Sequence, residues 1–133
     1  MHELSICYTI VETLQEVVKE NEIEEVEAIV LEIGELSSIV PKYMENCFPC
    51  AVDGTLFEKS KLTIEVVEGI GRCKRCGYSY RLLPVEGYCP NCDVKDFDVI
   101  SGEEFIIKEL ILALQTKGLL RFAPNILSGK IKC

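Results

Sequence analysis

Two tight turns, Cys73-Lys74-Arg75-Cys76-Gly77 and Cys89-Pro90-Asn91-Cys92, carry the strongest chemical signal in the sequence, and twelve residues including Gly77, Pro84 and Gly87 lie between Cys76 and Cys89. In a CxxCG turn, backbone N–H groups point at the first sulfur, and glycine takes a backbone shape that bulkier residues resist. Two such turns supply four soft, anionic ligands. Four thiolates in a closed shell suit tetrahedral Zn²⁺, and a site with no open position is structural rather than catalytic. A single iron in four thiolates has similar geometry and is the rival metal. The connecting stretch is slightly shorter than the commonest spacing for such sites, but a small antiparallel loop can bring the turns together. The other reading, two redox disulfides, suits an extracellular chain better.

A second constellation lies at the start of the chain. His2 is the only histidine and sits beside the α-amino group. A methionine followed by so large a residue is normally retained, so the amine of Met1, the amide nitrogens of His2 and Glu3 and the His2 imidazole can form fused chelate rings around one ion. Four nitrogens in a plane select Ni²⁺ or Cu²⁺ over Zn²⁺. The first N–H groups of a helix have no intrahelical acceptor and can be given up to a metal without breaking a rung. Deprotonated amides neutralise the dication near the positive end of the helix dipole, and Glu3 adds a further negative charge. A solvated terminus with an incidental histidine is the alternative.

These residues need a scaffold, and composition bounds it. A chain of 133 residues makes one domain, or one domain with a small insert. With 14 basic and 22 acidic residues its formal charge is −8, which repels nucleic acid and anionic lipid. Neither a basic N-terminal region nor a run of ~18 apolar residues is present, so no secretory signal and no membrane span are expected. A cytoplasmic setting follows, in which the eight cysteines are ligands or core residues rather than disulfides.

Leu4, Cys7, Tyr8, Val11, Leu14 and Val18 recur at steps of three and four, which predicts a helix over residues 4–20 with Glu3, Glu12 and Lys19 largely outside its apolar stripe. Asn21 is a reasonable stop. From Val26 to Ile33 β-branched residues predict a strand ending at Gly34. Ser37 and Ser38 offer caps for a second helix, with Pro41 in its first turn. Tyr43, Met44, Cys47 and Phe48 form its buried face, and Pro49 should kink or end it. Lys61 to Glu68 alternates as a second strand, and Glu103 to Leu112 reads as a third. The expected fold is therefore α+β: a small three-stranded sheet with two helices packed on it and an inserted zinc-ribbon-like lobe. Residues 1–69 and 95–114 form the main domain, 70–94 the insert, and 115–133 a basic extension of unassigned role.

In combination these features resemble a known family. Met-His-Glu-Leu-Ser at the start, the Gly34-Glu35-Leu36-Ser37 turn, the CxxC pairs and Ser101-Gly102-Glu103 before the last strand look like the HypA/HybF hydrogenase nickel-incorporation proteins, over about residues 1 to 112. The resemblance implies a nickel metallochaperone for NiFe hydrogenase maturation, in some cases serving urease too. It implies Ni²⁺ as cargo at Met1, His2 and Glu3, and a structural Zn²⁺ at Cys73, Cys76, Cys89 and Cys92. It also implies a partner GTPase, HypB, and the hydrogenase large subunit as recipient.

Two features stand outside the resemblance. The tail from about Gln115 to Cys133 extends past it, with Lys117, Arg121, Lys130 and Lys132 and no acid. Cys47-Phe48-Pro49-Cys50 is a third CxxC, which could serve thiol redox chemistry or hold a stray metal; we read Cys47 as core and Cys50 as lying near the helix end, because free cysteines are commonly buried. A zinc-ribbon nucleic-acid module, using Arg72, Lys74, Arg75 and Arg81, and a thiol oxidoreductase using Cys47 and Cys50 are the competing functions. No nucleophile with its base, phosphate loop or carboxylate pair is in evidence, so an enzyme is not expected.

Overall fold

In the computed structural model of the chain, residues 2–114 and 118–122 are described. The order is α1 (His2–Glu20), β1 (Ala28–Gly34), α2 (Pro41–Val52), β2 (Lys61–Val67), β3 (Ile70–Cys73), β4 (Ser79–Arg81), a 3₁₀ turn (Leu83–Val85), β5 (Phe97–Ser101), β6 (Phe105–Leu114) and β7 (Gly118–Phe122). The strands form two sheets, β2-β1-β6-β7 and β4-β3-β5. This is the expected α+β fold, with the three anticipated strands at its centre and β7 added at the edge.

β1 pairs parallel with β2 and antiparallel with β6. A parallel pair needs a long crossover, which α2 supplies. Ile29, Leu31 and Ile33 of β1 and Phe105, Ile107 and Leu110 of β6 join the buried faces of both helices in one core. The buried sector of α1 is wider than the stripe read from spacing: Ile6, Ile10 and Val17 are inside, while Tyr8 is 43% exposed. The helix packs on the sheet and on α2 together, so a broader face loses contact with water. Glu3, expected outside the stripe, is buried at 7% exposure.

The helix ends differ from expectation in their chemistry. Asn21 closes α1 through its side chain, which donates to the Val17 carbonyl (2.8 Å), and Glu22, not Asn21, takes the left-handed conformation. Neither serine caps α2. Ser37 instead donates to the Gly34 carbonyl (2.7 Å), the N-cap is Val40, and the Glu3 carboxylate accepts the Val40 N–H (3.3 Å). Pro49 does not end α2, which runs through it to Val52. Burial of Ala51 and Val52 in the last turn holds the helix together past the missing N–H, whereas Tyr43 faces solvent.

The smaller sheet has its own core of Cys73, Tyr80, Leu82 and Cys89, with Leu36, Val85, Cys92 and Phe97 packed against it. Because β5 pairs with β3, this sheet runs to Ser101, past the limit of residue 94 expected for the insert. Phe97 is the physical reason: its ring meets Tyr80 edge-on at 6.5 Å. Residues 115–117 and 123–133 of the basic extension lie outside the described residues, while Gly118–Phe122 pairs with β6.

Candidate metal centre

The two CxxC turns are built alike. In the first, the Gly77 N–H returns to the Cys73 carbonyl (2.9 Å); in the second, the Asp93 N–H returns to the Cys89 carbonyl (2.8 Å). Both closing residues have positive φ, 78° at Gly77 and 59° at Asp93. Glycine meets this need without strain, and aspartate is among the residues that tolerate it. β3 carries Cys73 into the first turn, and the Cys89 N–H to Val94 carbonyl bond (2.9 Å) closes the second.

These turns bring the sulfurs of Cys73, Cys76, Cys89 and Cys92 within 4.8 Å of one another. The Cys73–Cys92 and Cys76–Cys89 Sγ separations are 3.4 and 3.5 Å. A tetrahedron of Zn–S bonds of about 2.3 Å has sulfur–sulfur edges of ~3.8 Å, so the cluster is close to the size a zinc ion requires. Cys73 and Cys89 are buried, while Cys76 is exposed.

Backbone and side-chain donors already favour thiolates here. The Cys76 and Arg75 N–H groups lower the Cys73 pKa, and Asn91 with the Tyr78 N–H brings Cys76 down to about 6. Sharing a proton with Cys73 pushes Cys92 up to about 12. Four adjacent anions repel, so full ionisation calls for a dication, and the all-sulfur donor set fits Zn²⁺ in a closed, structural shell. It is the only such group of three or more metal-ligating side chains among the described residues.

The N-terminal constellation is placed in part. Met1 lies outside the described residues, and His2 is the first residue of α1. The Glu3 carboxylate is directed to the start of α2 through Val40, so two helix N-termini converge on one buried negative charge. The third CxxC does not gather a site: Cys47 packs partly against the core, and Cys50 is exposed with its sulfur 3.4 Å from the Tyr8 hydroxyl. Cys7 is fully buried, and burial foremost drives its pKa up to about 12, which keeps it an inert thiol.

Sequence reasoning missed a clamp between the two sheets. Arg81 of β4 donates to Glu35, just after β1, and its Nε lies 2.7 Å from a Glu68 carboxylate oxygen. The other Glu35 oxygen accepts the Gly69 N–H at 2.7 Å. The Gly69 N–H is the main cause of a Glu35 pKa below its usual value of 4.5; burial opposes it and Arg81 reinforces it. A carboxylate with a depressed folded-state pKa contributes stability above its unfolded pKa and loses it as pH falls through the folded value. Replacing Glu35 with Gln is therefore expected to lower Tm at pH 7, with the gap to wild type closing below about pH 4. A gap that stays constant across thermal melts from pH 7 to 3 would mean that this charge does not clamp the lobes.

The sequence profile of a family described as "Hydrogenase/urease nickel incorporation, metallochaperone, hypA" matches residues 1–112. Hydrogenase maturation factor HypA of Geobacter metallireducens is 42% identical over 113 residues, covering 83% of this chain and 97% of that relative. The corresponding protein of Crocosphaera subtropica is 39% identical over 110 residues, covering 83% and 94%. In fold, the chain is similar to the solution structure of the Ni metallochaperone HypA from Helicobacter pylori, with a TM-score of 0.55, 22% identity and coverage of 92% and 98%. A second solution structure, of a HypA protein, gives a TM-score of 0.63 at 23% identity, covering 84% of this chain and 96% of that one. With the match running from the first residue through most of β6, the chain belongs to the HypA family of hydrogenase nickel-incorporation metallochaperones.

Proposed function

We propose that this chain carries one Ni²⁺ at its N-terminus and hands it over for maturation of NiFe hydrogenase, with urease as a further client. The ligands are the Met1 amine, the amides of His2 and Glu3 and the His2 imidazole. A single observation supports this reading most: His2 opens α1, so the two amides fall among the helix N–H groups that have no intrahelical acceptor. Cys73, Cys76, Cys89 and Cys92 hold a structural Zn²⁺ that organises the smaller lobe. The larger sheet with its two helices serves as the nickel-carrying domain and residues 70–101, which form the smaller sheet, as the zinc-carrying insert, acting in the cytoplasm.

Delivery suits a chain end better than a cage does, because terminal ligands detach one at a time. Directed transfer requires energy from elsewhere, and the partner GTPase HypB fills that role, with the hydrogenase large subunit as recipient. Calorimetric titration of the untagged, zinc-loaded chain is expected to give one Ni²⁺ per chain. His2→Ala should weaken that binding by at least roughly a hundredfold, the upper end of what losing even an outer-shell partner costs, with zinc retained. Equal nickel affinity in His2→Ala, or in a chain extended by a residue before Met1, would refute the terminal site.

A further inference from the structure

β2 lies at one edge of the larger sheet, paired with β1 on one side and, among the described residues, with no strand on the other. The Lys61 N–H donates to the Glu27 carbonyl (2.9 Å) and the Glu35 N–H to the Val67 carbonyl (2.8 Å), which fixes the phase of the strand. Lys61, Thr63, Glu65 and Val67 therefore direct their main-chain groups at β1, and those of Leu62, Ile64 and Val66 point outward. Such a row of N–H and C=O groups is a template for another strand. This one belongs to a seven-residue strand with neither proline nor bulge to blunt it.

The side chains of β2 sort by face. Leu62 and Ile64 pack partly buried against the helix-covered core, while Val66, next in the same row, is 56% exposed. The opposite face carries Lys61, Thr63, Glu65 and Val67 in order, with Lys61 and Glu65 exposed. Lys59, exposed in the turn before the strand, extends the cationic end. At the anionic end, Val67 lines a hollow together with Glu32 and Glu104. Lys108 already reaches Glu65 across β1 (2.8 Å), so a long cationic side chain spans two strands on this face.

Opposite charges two positions either side of Thr63 make this edge complementary to itself. Under a two-fold axis through Thr63 and normal to the sheet, two copies of β2 run antiparallel. Thr63 then faces Thr63, each Lys61 faces Glu65 of the other copy, and each Leu62 faces Ile64. The outward main-chain groups of Leu62 and Ile64 meet as a hydrogen-bonded pair requires. Lys59 comes level with Val67 at the mouth of the hollow that Glu32 and Glu104 line. Moving the axis to Ile64 sets Lys61 against Val67, and moving it to Glu65 opposes two carboxylates. Glu58 and Glu68 also come level, but the first accepts the Gly54 N–H and the second is paired with Arg81.

We propose that the free edge of β2 docks a second copy of this chain, antiparallel about Thr63, so that two four-stranded sheets become one. Both sets of helices stay on the same face, and the row of Leu62, Ile64 and Val66 carries the apolar core across the seam. Lys59 of each copy supplies the cation for the hollow of the other.

Sedimentation velocity and amide hydrogen exchange on the full, zinc-loaded chain test the proposal. Over a roughly hundredfold rise in concentration the mass is expected to climb from 15.0 kDa toward twice that value. The Leu62 and Ile64 amides should gain protection in step, whereas those of Thr63 and Glu65, bonded to β1, are protected throughout. Lys61→Glu and Glu65→Lys should each weaken self-association by roughly thirtyfold, as two attractive cross-strand pairs become two repulsive ones. An equimolar mixture of the two variants should recover it, because opposite charges then meet at both pairs, and that recovery separates charge pairing at the seam from the loss of the Lys108 contact. A mass of 15.0 kDa at every concentration would overturn the proposal. So would dimers that leave Leu62 and Ile64 unprotected, protection that does not depend on concentration, or a mixture that associates no better than its components.

Discussion

Replacing Cys73 with Ser is expected to leave a chain without zinc and with its smaller lobe unfolded, while α1, α2 and the β2-β1-β6 sheet persist. The lobe has little else to hold it. Its buried cluster is Cys73, Tyr80, Leu82 and Cys89, and two of these four belong to the four-sulfur group itself. Full burial of Tyr80 and Leu82 supplies roughly 2–3 kcal/mol each, and ordering the backbone costs about 1–2 kcal/mol per residue. Metal binding closes that gap, since structural zinc is worth roughly 10–16 kcal/mol in small zinc-dependent folds. Cys73 is the most damaging ligand to lose, because β3 carries it directly and its buried sulfur lies 3.4 Å from Cys92. Metal analysis should fall from one zinc per chain to near none, and hydrogen exchange should accelerate across residues 70–101 but not in α1 or β1. A strong chelator, or acid sufficient to protonate the thiolates, should reproduce this pattern in the wild type. Zinc loss with unchanged exchange over 70–101 would show that the metal has no structural task.

What could be read from the residues and what could not divides along sequence separation. Each CxxC turn is specified within five residues, so the four-sulfur cluster was legible before any fold was known. The strands β1 and β2 were legible because β-branched runs bounded by Gly34 and Gly69 leave few alternatives, whereas β6, which alternates poorly and contains good helix formers, was read as a strand from its β-branched content and because two strands alone make a poor sheet. The role of Glu3 was not legible, since it depends on where α2 begins, 37 residues away. The clamp from Arg81 to Glu35 spans 46 residues, and nothing near Arg81 distinguishes it from the other basic residues around the first knuckle. Phe97–Ser101 offers a short run with exposed Val99 and Ile100, and only its pairing with β3 marks it as part of the smaller sheet. Pro49 misled for a related reason: a local rule predicted a break, and burial of Ala51 and Val52 beyond it prevailed. β7 was hidden by its basic neighbours, though Leu119 and Leu120 stand opposite Ala113 and Leu112.

The second large effect is expected at Gly102, where the two sheets are joined. Its φ is +96°, and a Cβ there would lie 2.4 Å from the Gly69 Cα and 2.8 Å from the Glu68 carbonyl oxygen. Both obstacles are backbone, so no side-chain rotation relieves them. The same segment is held from the other side, since the Leu36 N–H donates to the Gly102 carbonyl at 2.7 Å and the Gly34 N–H to the Glu104 carbonyl at 2.8 Å. A Cβ on Gly34 would in turn lie 2.1 Å from the Gly102 oxygen. Three chain segments thus meet where none carries a side chain. For Gly102→Ala, conformational strain and forced backbone displacement add to about 4 kcal/mol, enough to lower Tm by at least ~10 °C. Gly54→Ala is the control: its φ is +75°, with nothing within 4 Å of the added Cβ, so it incurs only the conformational cost of about 1 kcal/mol. Displacement at Gly102 should also speed exchange of the Gly34 and Leu36 amides, because their acceptors lie on the displaced segment. Equal losses of Tm in Gly102→Ala and Gly54→Ala, with those two amides still protected, would mean that the junction tolerates a side chain and that close backbone approach does not fix the lobes.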